Sequence, residues 1–362
     1  MKKILALSLA LCLLLTGCGT RLDKSTRLRK FKDDATADAL YQTAQTAADS
    51  MDGAKLSIGI VRDGRVRFFS FGGASEDTLY ELGTLTQLFT CITALDYLDM
   101  DIPVSTYLDA YPDNTLTLPD NSITAAMLAT HTAGFANWPD DLPDNGNPCF
   151  GYTDRRLFNY VARAELLYEP GTHASESAIG IGLLGNIMEA KQKGWAKVTG
   201  MISSSVFQRV GMYSTLIDVP ESKASLRALG HDENGDVAEF RSYDALAAAA
   251  AFYSSAYDMT LFAAACMDQI STYDGKTPSF PDQAKKAFSI QYDGEGGARG
   301  YGCLAQQTDA GTVFWQSSTL GGFGGYFALC PEAGTGVIVL CDHSISMEEL
   351  GLNLITVLSE GE

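Results

Sequence analysis

Between residues 35 and 52 apolar positions return every three to four residues, the period of a helix packed on one side. Beyond it, LSIGIV and RVRFFSF flank Arg62-Asp63-Gly64-Arg65, and Asp-Gly between two apolar runs is a strong hairpin signal. A strand pair therefore opens the fold. Helical spacing then dominates, predicting helices over 88–98, 123–130, 180–191, 195–210 and 245–265. Segments 107–120 and 135–151 are rich in Pro, Asp and Asn and read as surface loops. After about residue 298 strands return as YGCLAQQ, TVFWQSS, GGYFALC and TGVIVLCD, with a turn at Pro331-Glu332-Ala333-Gly334, and 346–358 close the chain with an amphipathic helix. Strands at both ends and helices between them predict an α/β fold: one antiparallel sheet built from both chain ends, flanked by helices, with a large helical insertion. The sheet region covers about 35–87 and 296–362, and the helical region about 88–295.

Composition narrows the function classes. The chain has 362 residues, 46% hydrophobic and 19% charged, enough for a real core and too ordered for a disordered tail. With 26 Lys+Arg against 44 Asp+Glu the net charge is −18, and no basic cluster interrupts it, so a nucleic-acid partner is excluded on electrostatic grounds.

The first residues change the picture again. MKKILALSLALCLLLTGCGT carries two lysines, an apolar run and then Leu15-Thr16-Gly17-Cys18, which resembles a bacterial lipoprotein signal. That resemblance implies removal of 1–17, acylation of Cys18 as a lipid anchor, and a position outside the cytoplasm on the cell membrane. The run from Ile4 to Leu15 is too short to span ~30 Å of hydrocarbon. Loss of two lysines and no acid takes the remaining chain to −20. Residues 18–34, polar and aperiodic, are expected to form a tether.

Six cysteines remain, Cys91, Cys149, Cys266, Cys303, Cys330 and Cys341, at irregular spacing and mostly in apolar runs, as buried free thiols are. Neither a C-x-x-C nor a closely spaced histidine pair occurs, so no metal is expected, and no other cofactor. His173, His231 and His343 fall at loops or element ends and are expected to be solvated. Trp138, Trp195 and Trp315 read as packing residues, with Trp138 also placed to line a cleft mouth, and the alanines of 245–251 read as a close helix contact.

Several short phrases stand in an order that resembles the serine β-lactamase and penicillin-binding-protein superfamily, in the branch holding class C β-lactamases, D-alanyl-D-alanine peptidases and related esterases. They are Thr78-Leu79-Tyr80-Glu81-Leu82-Gly83, Ile102-Pro103-Val104-Ser105-Thr106-Tyr107-Leu108, Leu128-Ala129-Thr130-His131-Thr132-Ala133-Gly134-Phe135, Pro170-Gly171-Thr172, Gly182-Leu183-Leu184-Gly185, Tyr253-Ser254-Ser255 and Gly321-Gly322-Phe323. Together they cover roughly 56–341.

The resemblance implies three catalytic elements, and this chain departs from each. A serine followed after two residues by lysine supplies nucleophile and base in the family; here Thr84 and Gln87 stand in those places. Threonine keeps a hydroxyl, but glutamine can neither take a proton nor lend a charge. Where the family has a Tyr-x-Asn or Ser-x-Asn, this chain has Glu176 and Ala178. Where it has Lys-Thr-Gly or His-Ser/Thr-Gly on a strand, this chain has Gln316, Ser317 and Ser318, with Thr319 next. The oxyanion donors implied are the N–H groups of Thr84 and Thr319. His131 is expected to be a hydrogen-bonded structural histidine behind the cleft.

Because groups that act as a unit are not replaced singly, alteration of all three elements points to a non-catalytic member whose cleft binds a peptide, a cell-wall fragment or a partner protein. The alternative is an active peptidase, esterase or β-lactamase with Thr84 as nucleophile and Glu176 as general base. A structural surface protein with a filled cleft is a third reading.

Overall fold

The computed structural model describes residues 28–360 except 32–33, 52, 111–116, 144–145 and 273–278. The signal segment and Cys18 lie outside the described residues. Strand β1 (Arg29–Lys30) precedes helix α1 (Ala35–Ser50), and β2 (Leu56–Arg62) and β3 (Arg65–Phe71) form the expected hairpin. Next come β4 (Leu79–Glu81), α2 (Thr86–Tyr97), α3 (Ala125–Ala129), α4 (Asp154–Arg163), α5 (Ala178–Lys191) and β5 (Tyr253–Ser255). The chain ends with α6 (Ala256–Cys266), α7 (Phe280–Ala287), β6 (Arg299–Gly300), β7 (Cys303–Thr308), β8 (Gly311–Leu320), β9 (Phe323–Cys330), β10 (Thr335–Cys341) and α8 (Glu348–Glu360).

Eight strands form one sheet in the order β1-β3-β2-β10-β9-β8-β7-β6, antiparallel except for the β1–β3 pair. The two chain ends meet where β2 pairs β10, from Leu56 opposite Cys341 to Arg62 opposite Thr335. Both faces of β10 are covered, so its sequence reads as a continuous apolar run instead of an alternation. Ile338 and Leu340 face the core shared with the helical region, while Val337, Val339 and Cys341 face the core under α1 and α8. Gly59 on β2 lets α6 approach: a Cβ there would lie 2.0 Å from Thr260 Oγ1. Phe262 of α6 meets Phe89 of α2 edge to face at 4.9 Å, and Phe89 meets Phe207 in the same way at 5.1 Å. Such pairs contribute ~0.5–1.5 kcal/mol each beyond burial, and here they fix α2, the helix behind Thr84, against the sheet.

Several expectations are corrected. The helix expected over 245–265 is broken into a 3-10 turn (Asp244–Leu246), a short helix (Ala247–Ala250), β5 and α6. Three residues of β5 pair with β4, and the Ser255 hydroxyl caps α6 by accepting from Asp258 N–H, so ladder and cap outweigh the helical preference of the alanines. Those alanines do make the expected close contact, since a Cβ on Gly185 would lie 2.5 Å from that of Ala248. The run 195–210 contains a five-residue π turn at Ser203–Phe207 and stops at Gly211, whose φ is +85°. Helices α4 and α7 and strand β4 were not anticipated, and residues 107–110, the start of a segment placed in a loop, belong to a 3-10 helix over Val104–Ala110.

Part of the segment expected to form a tether, 18–34, joins the fold. Arg29 and Lys30 pair with Arg65 and Val66, Phe31 is buried, and the Arg62 guanidinium lies 4.5 Å from the Phe31 ring centre. Trp195 is 89% exposed, against the expected packing role, whereas Trp315 stacks on Tyr326 and Trp138 is half-buried against the main core. His173 stacks on Tyr168 at 4.0 Å, and His231 stacks on His343, so none of the three is simply solvated. The six cysteines are buried and free, as expected.

Candidate active site

Strand β4 delivers the chain to Gly83, whose φ of +50° turns it into a 3-10 step, Gly83–Leu85, that runs on into α2. Thr84 therefore sits at the start of a helical stretch, facing β8. A side chain at position 83 is excluded, since a Cβ would lie 2.2 Å from Ser318 Oγ.

The three sequence-predicted elements do converge here, and they bond to one another. Thr84 N–H donates to Ser318 Oγ at 3.1 Å, and the Thr84 hydroxyl donates to the Ser317 carbonyl at 2.7 Å. The N–H expected as an oxyanion donor is thus bonded to the hydroxyl of Ser318, the side chain at the position where the resemblance implies glycine. Ser317 Oγ, on the opposite side of the strand, donates to Glu348 of α8 at 2.5 Å. Gln87, fully buried, donates from Nε2 to Glu176 Oε1 at 2.7 Å, and Gln316 Nε2 lies 3.5 Å from Gln87 Oε1 and 3.4 Å from the Gly302 carbonyl. Two amides and a carboxylate so fill the place of a lysine and its partners.

Glu176 is held from three sides. Ser177 caps α5 by accepting from Gly180 N–H, which fixes the residue before it. Ser177 N–H donates to His131 Nδ1 at 3.1 Å, so the ring's proton is on Nε2, and that nitrogen faces Glu176 Oε2 at 3.4 Å. His131 is 3% exposed with φ +59°. Burial holds its imidazole below the ordinary range against the pull of the Glu176 carboxylate, so it is neutral and structural, as expected. Arg299, which sequence reasoning missed, is buried beside Glu176 and balances its charge. Ala178 is buried, and its N–H donates to Asn137 Oδ1 at 3.1 Å. Arg299 and Asn137 lie in strand and loop contexts with no local pattern that marks them.

A second carboxylate lies under the same turn. Glu81, at the end of β4, is 5% exposed and accepts from the Tyr243 hydroxyl and, at 3.2 Å, from the Tyr253 hydroxyl. Burial pushes its carboxyl up to about 7, although both tyrosines favour the ionised form.

Chemically, Thr84 is engaged by the backbone of β8. Its hydroxyl points to a carbonyl, which is not a base, and among the described residues no hydrogen bond joins it to Glu176. The Thr319 side chain is exposed at the strand end.

Comparison with known proteins settles the lineage. The family model described as Beta-lactamase matches residues 43–358. This chain belongs to the β-lactamase family. A β-lactamase from Pseudomonas fluorescens is 25% identical over 86% of this chain and 92% of its own length. Among solved structures, the β-lactamase/D-alanine carboxypeptidase from Pseudomonas syringae superposes with a TM-score of 0.76 at 22% identity, covering 91% of this chain and all of that one. A class C β-lactamase from Rhodobacter sphaeroides matches with a TM-score of 0.75 at 22% identity over 89% and 99% of the two chains. The expected α/β architecture is therefore that of the β-lactamase family.

Proposed function

We propose that this β-lactamase-family protein is an exported lipoprotein whose hydrolase site is inactive and serves as a binding cleft for a peptide, a cell-wall fragment or a partner protein. The observation that carries the reading is the bond from Thr84 N–H to Ser318 Oγ, which occupies an oxyanion donor that acyl transfer needs free. Gln87 supports it, because an amide in that place takes no proton from Thr84, and the Thr84 hydroxyl bonds to the Ser317 carbonyl instead of to Glu176.

A fluorescent penicillin and a fluorophosphonate are expected to leave the folded protein unlabelled, and a chromogenic cephalosporin unhydrolysed. Covalent label found on Thr84 by peptide mass spectrometry overturns the reading in favour of a threonine hydrolase.

The export half of the proposal rests on Leu15-Thr16-Gly17-Cys18 and is independent of the cleft. Among the described residues no helix is long and apolar enough to cross a membrane. The Cys18→Ala protein is expected to move from the membrane to the soluble fraction on cell fractionation; retention on the membrane refutes the lipid anchor.

A further inference from the structure

Strand β7 accompanies β8 only as far as Leu304 opposite Trp315, so residues 316–320 of β8 form an edge beside the cleft, with Thr84 bonded to the Ser317 carbonyl. Side chains alternate across that edge. Gln316 and Ser318 are buried toward Gln87 and Thr84, whereas Ser317 is half-buried and Thr319 exposed on the other side. A molecule lying along the edge therefore meets the surroundings of Ser317 and Thr319 as well as Thr84.

Those surroundings are mostly negative. Ser317 Oγ donates to the exposed Glu348 of α8 at 2.5 Å. Past Thr319 the strand end borders a cavity of about 290 Å³ whose charged lining is Asp232, Glu233 and Arg241. Three carboxylates thus flank the exposed edge against one guanidinium. On the cleft floor Gln87 and Gln316 supply no charge, and the buried Arg299 offsets Glu176. The floor nevertheless adds an open acceptor. Gln87 bonds to Oε1 of Glu176 and leaves Oε2 over, on a side chain 31% exposed. His131 Nε2, buried and without a hydrogen-bond partner, is aimed at Oε2 from 3.4 Å. That separation is too long for a good hydrogen bond, so Oε2 keeps lone pairs for a donor that enters the cleft.

We propose that this cleft selects ligands carrying a primary ammonium group and rejects those carrying a carboxylate in its place. The inference rests on the binding-cleft reading above and names the ligand class for it. The seat of the ammonium is the edge from Ser317 to Thr319, between Glu348 and the loop of Asp232 and Glu233. An ammonium offers three donors and no acceptor, which suits carboxylates on both sides. A ligand carboxylate would set like charge against Glu348 and leave the open acceptors without a donor, so the same residues attract one class and repel the other.

Two dansyl probes with the same five-carbon spacer test this: dansylcadaverine, which ends in an ammonium, and dansyl-aminocaproic acid, which ends in a carboxylate. Fluorescence polarisation with the purified protein at low ionic strength is expected to show one site that binds the ammonium probe at least about tenfold more tightly. The preference is expected to shrink toward about 0.15 M salt, where the Debye length is about 8 Å. Glu348→Lys and Glu233→Lys are each expected to reduce it about threefold or more, and the double variant to abolish or reverse it. Asp99→Lys, an exposed site past the far end of α2 from Thr84, makes the same change in net charge and is expected to keep the parent's preference. Circular dichroism of each variant confirms the fold, and if Glu348→Lys unfolds, Glu348→Gln, which keeps an acceptor for Ser317 Oγ, replaces it. Equal or tighter binding of the carboxylate probe by the parent, a preference unchanged in the double variant, or no saturation by the ammonium probe at millimolar concentration overturns the proposal. Covalent label on Thr84 with the ammonium preference intact overturns only the inactive-site reading, so the two failures are told apart.

Discussion

A chain carrying Thr84→Ser, Gln87→Lys, Glu176→Tyr, Ala178→Asn, Gln316→Lys and Ser318→Gly is expected to acquire acylation by a fluorescent penicillin at least about 10³-fold above the parent. Gln87→Lys alone is expected to stay at the parent's baseline. Each part of this expectation has a physical source. A positioned base contributes about 10²–10⁴ in rate and one oxyanion donor about 10²–10³, but such groups act as a unit and are worth little singly. Ser318→Gly removes the hydroxyl that holds Thr84 N–H and opens the space now closed beside Gly83. Gln87→Lys places an amine where the amide now bonds to Glu176. Glu176→Tyr deprives Arg299 of its balancing carboxylate, so the variant should also carry Arg299→Gln to avoid an unpaired buried charge. A folded variant with intact thermal unfolding and no label would show that these positions do not account for the inactivity proposed above.

Stability is expected to fall by about 3 kcal/mol between pH 4.5 and 7 because of Glu81 alone. Its carboxyl is raised by burial from 4.5 to about 7, so in that window the folded chain keeps a proton that the unfolded chain has released. The stabilisation is complete below pH 4.5 and is lost as the pH rises through the folded value. At 1.36 kcal/mol per unit, the shift corresponds to the figure above. Glu81→Gln keeps the size and the hydrogen bond to Tyr243 but cannot ionise. The difference in denaturant midpoint between parent and variant should therefore shift steadily across this range. A difference that stays constant with pH would mean that Glu81 does not titrate there.

What the sequence made legible were features whose signals are local. Asp63-Gly64 between two apolar runs marks a hairpin, and the unbroken apolar run of β10 marks a strand covered on both faces. The phrases around Gly83, Pro170-Gly171 and Gly321-Gly322 set a register good enough to place Thr84, Gln87, Glu176, Gln316 and Ser318 in one cleft, where they do meet. The bonding among them was not legible. Whether Ser318 narrows an approach or occupies a donor depends on one side-chain rotamer across a contact of 234 residues. Tyr253–Ser255 was missed because its strand character comes from pairing with β4 and not from its own alternation. Arg299, buried beside Glu176, carries no sequence sign of its role, since an arginine in a polar stretch ordinarily reads as surface.

The short parallel strand at Arg29–Lys30 has a consequence for where the body can go. If Cys18 carries the lipid, only eleven residue steps separate the anchor from the sheet edge, a reach of at most about 40 Å fully extended. On that condition the body is held by its β1 edge within that distance of the bilayer. Whatever its cleft binds would, on the same condition, have to be met at the membrane surface.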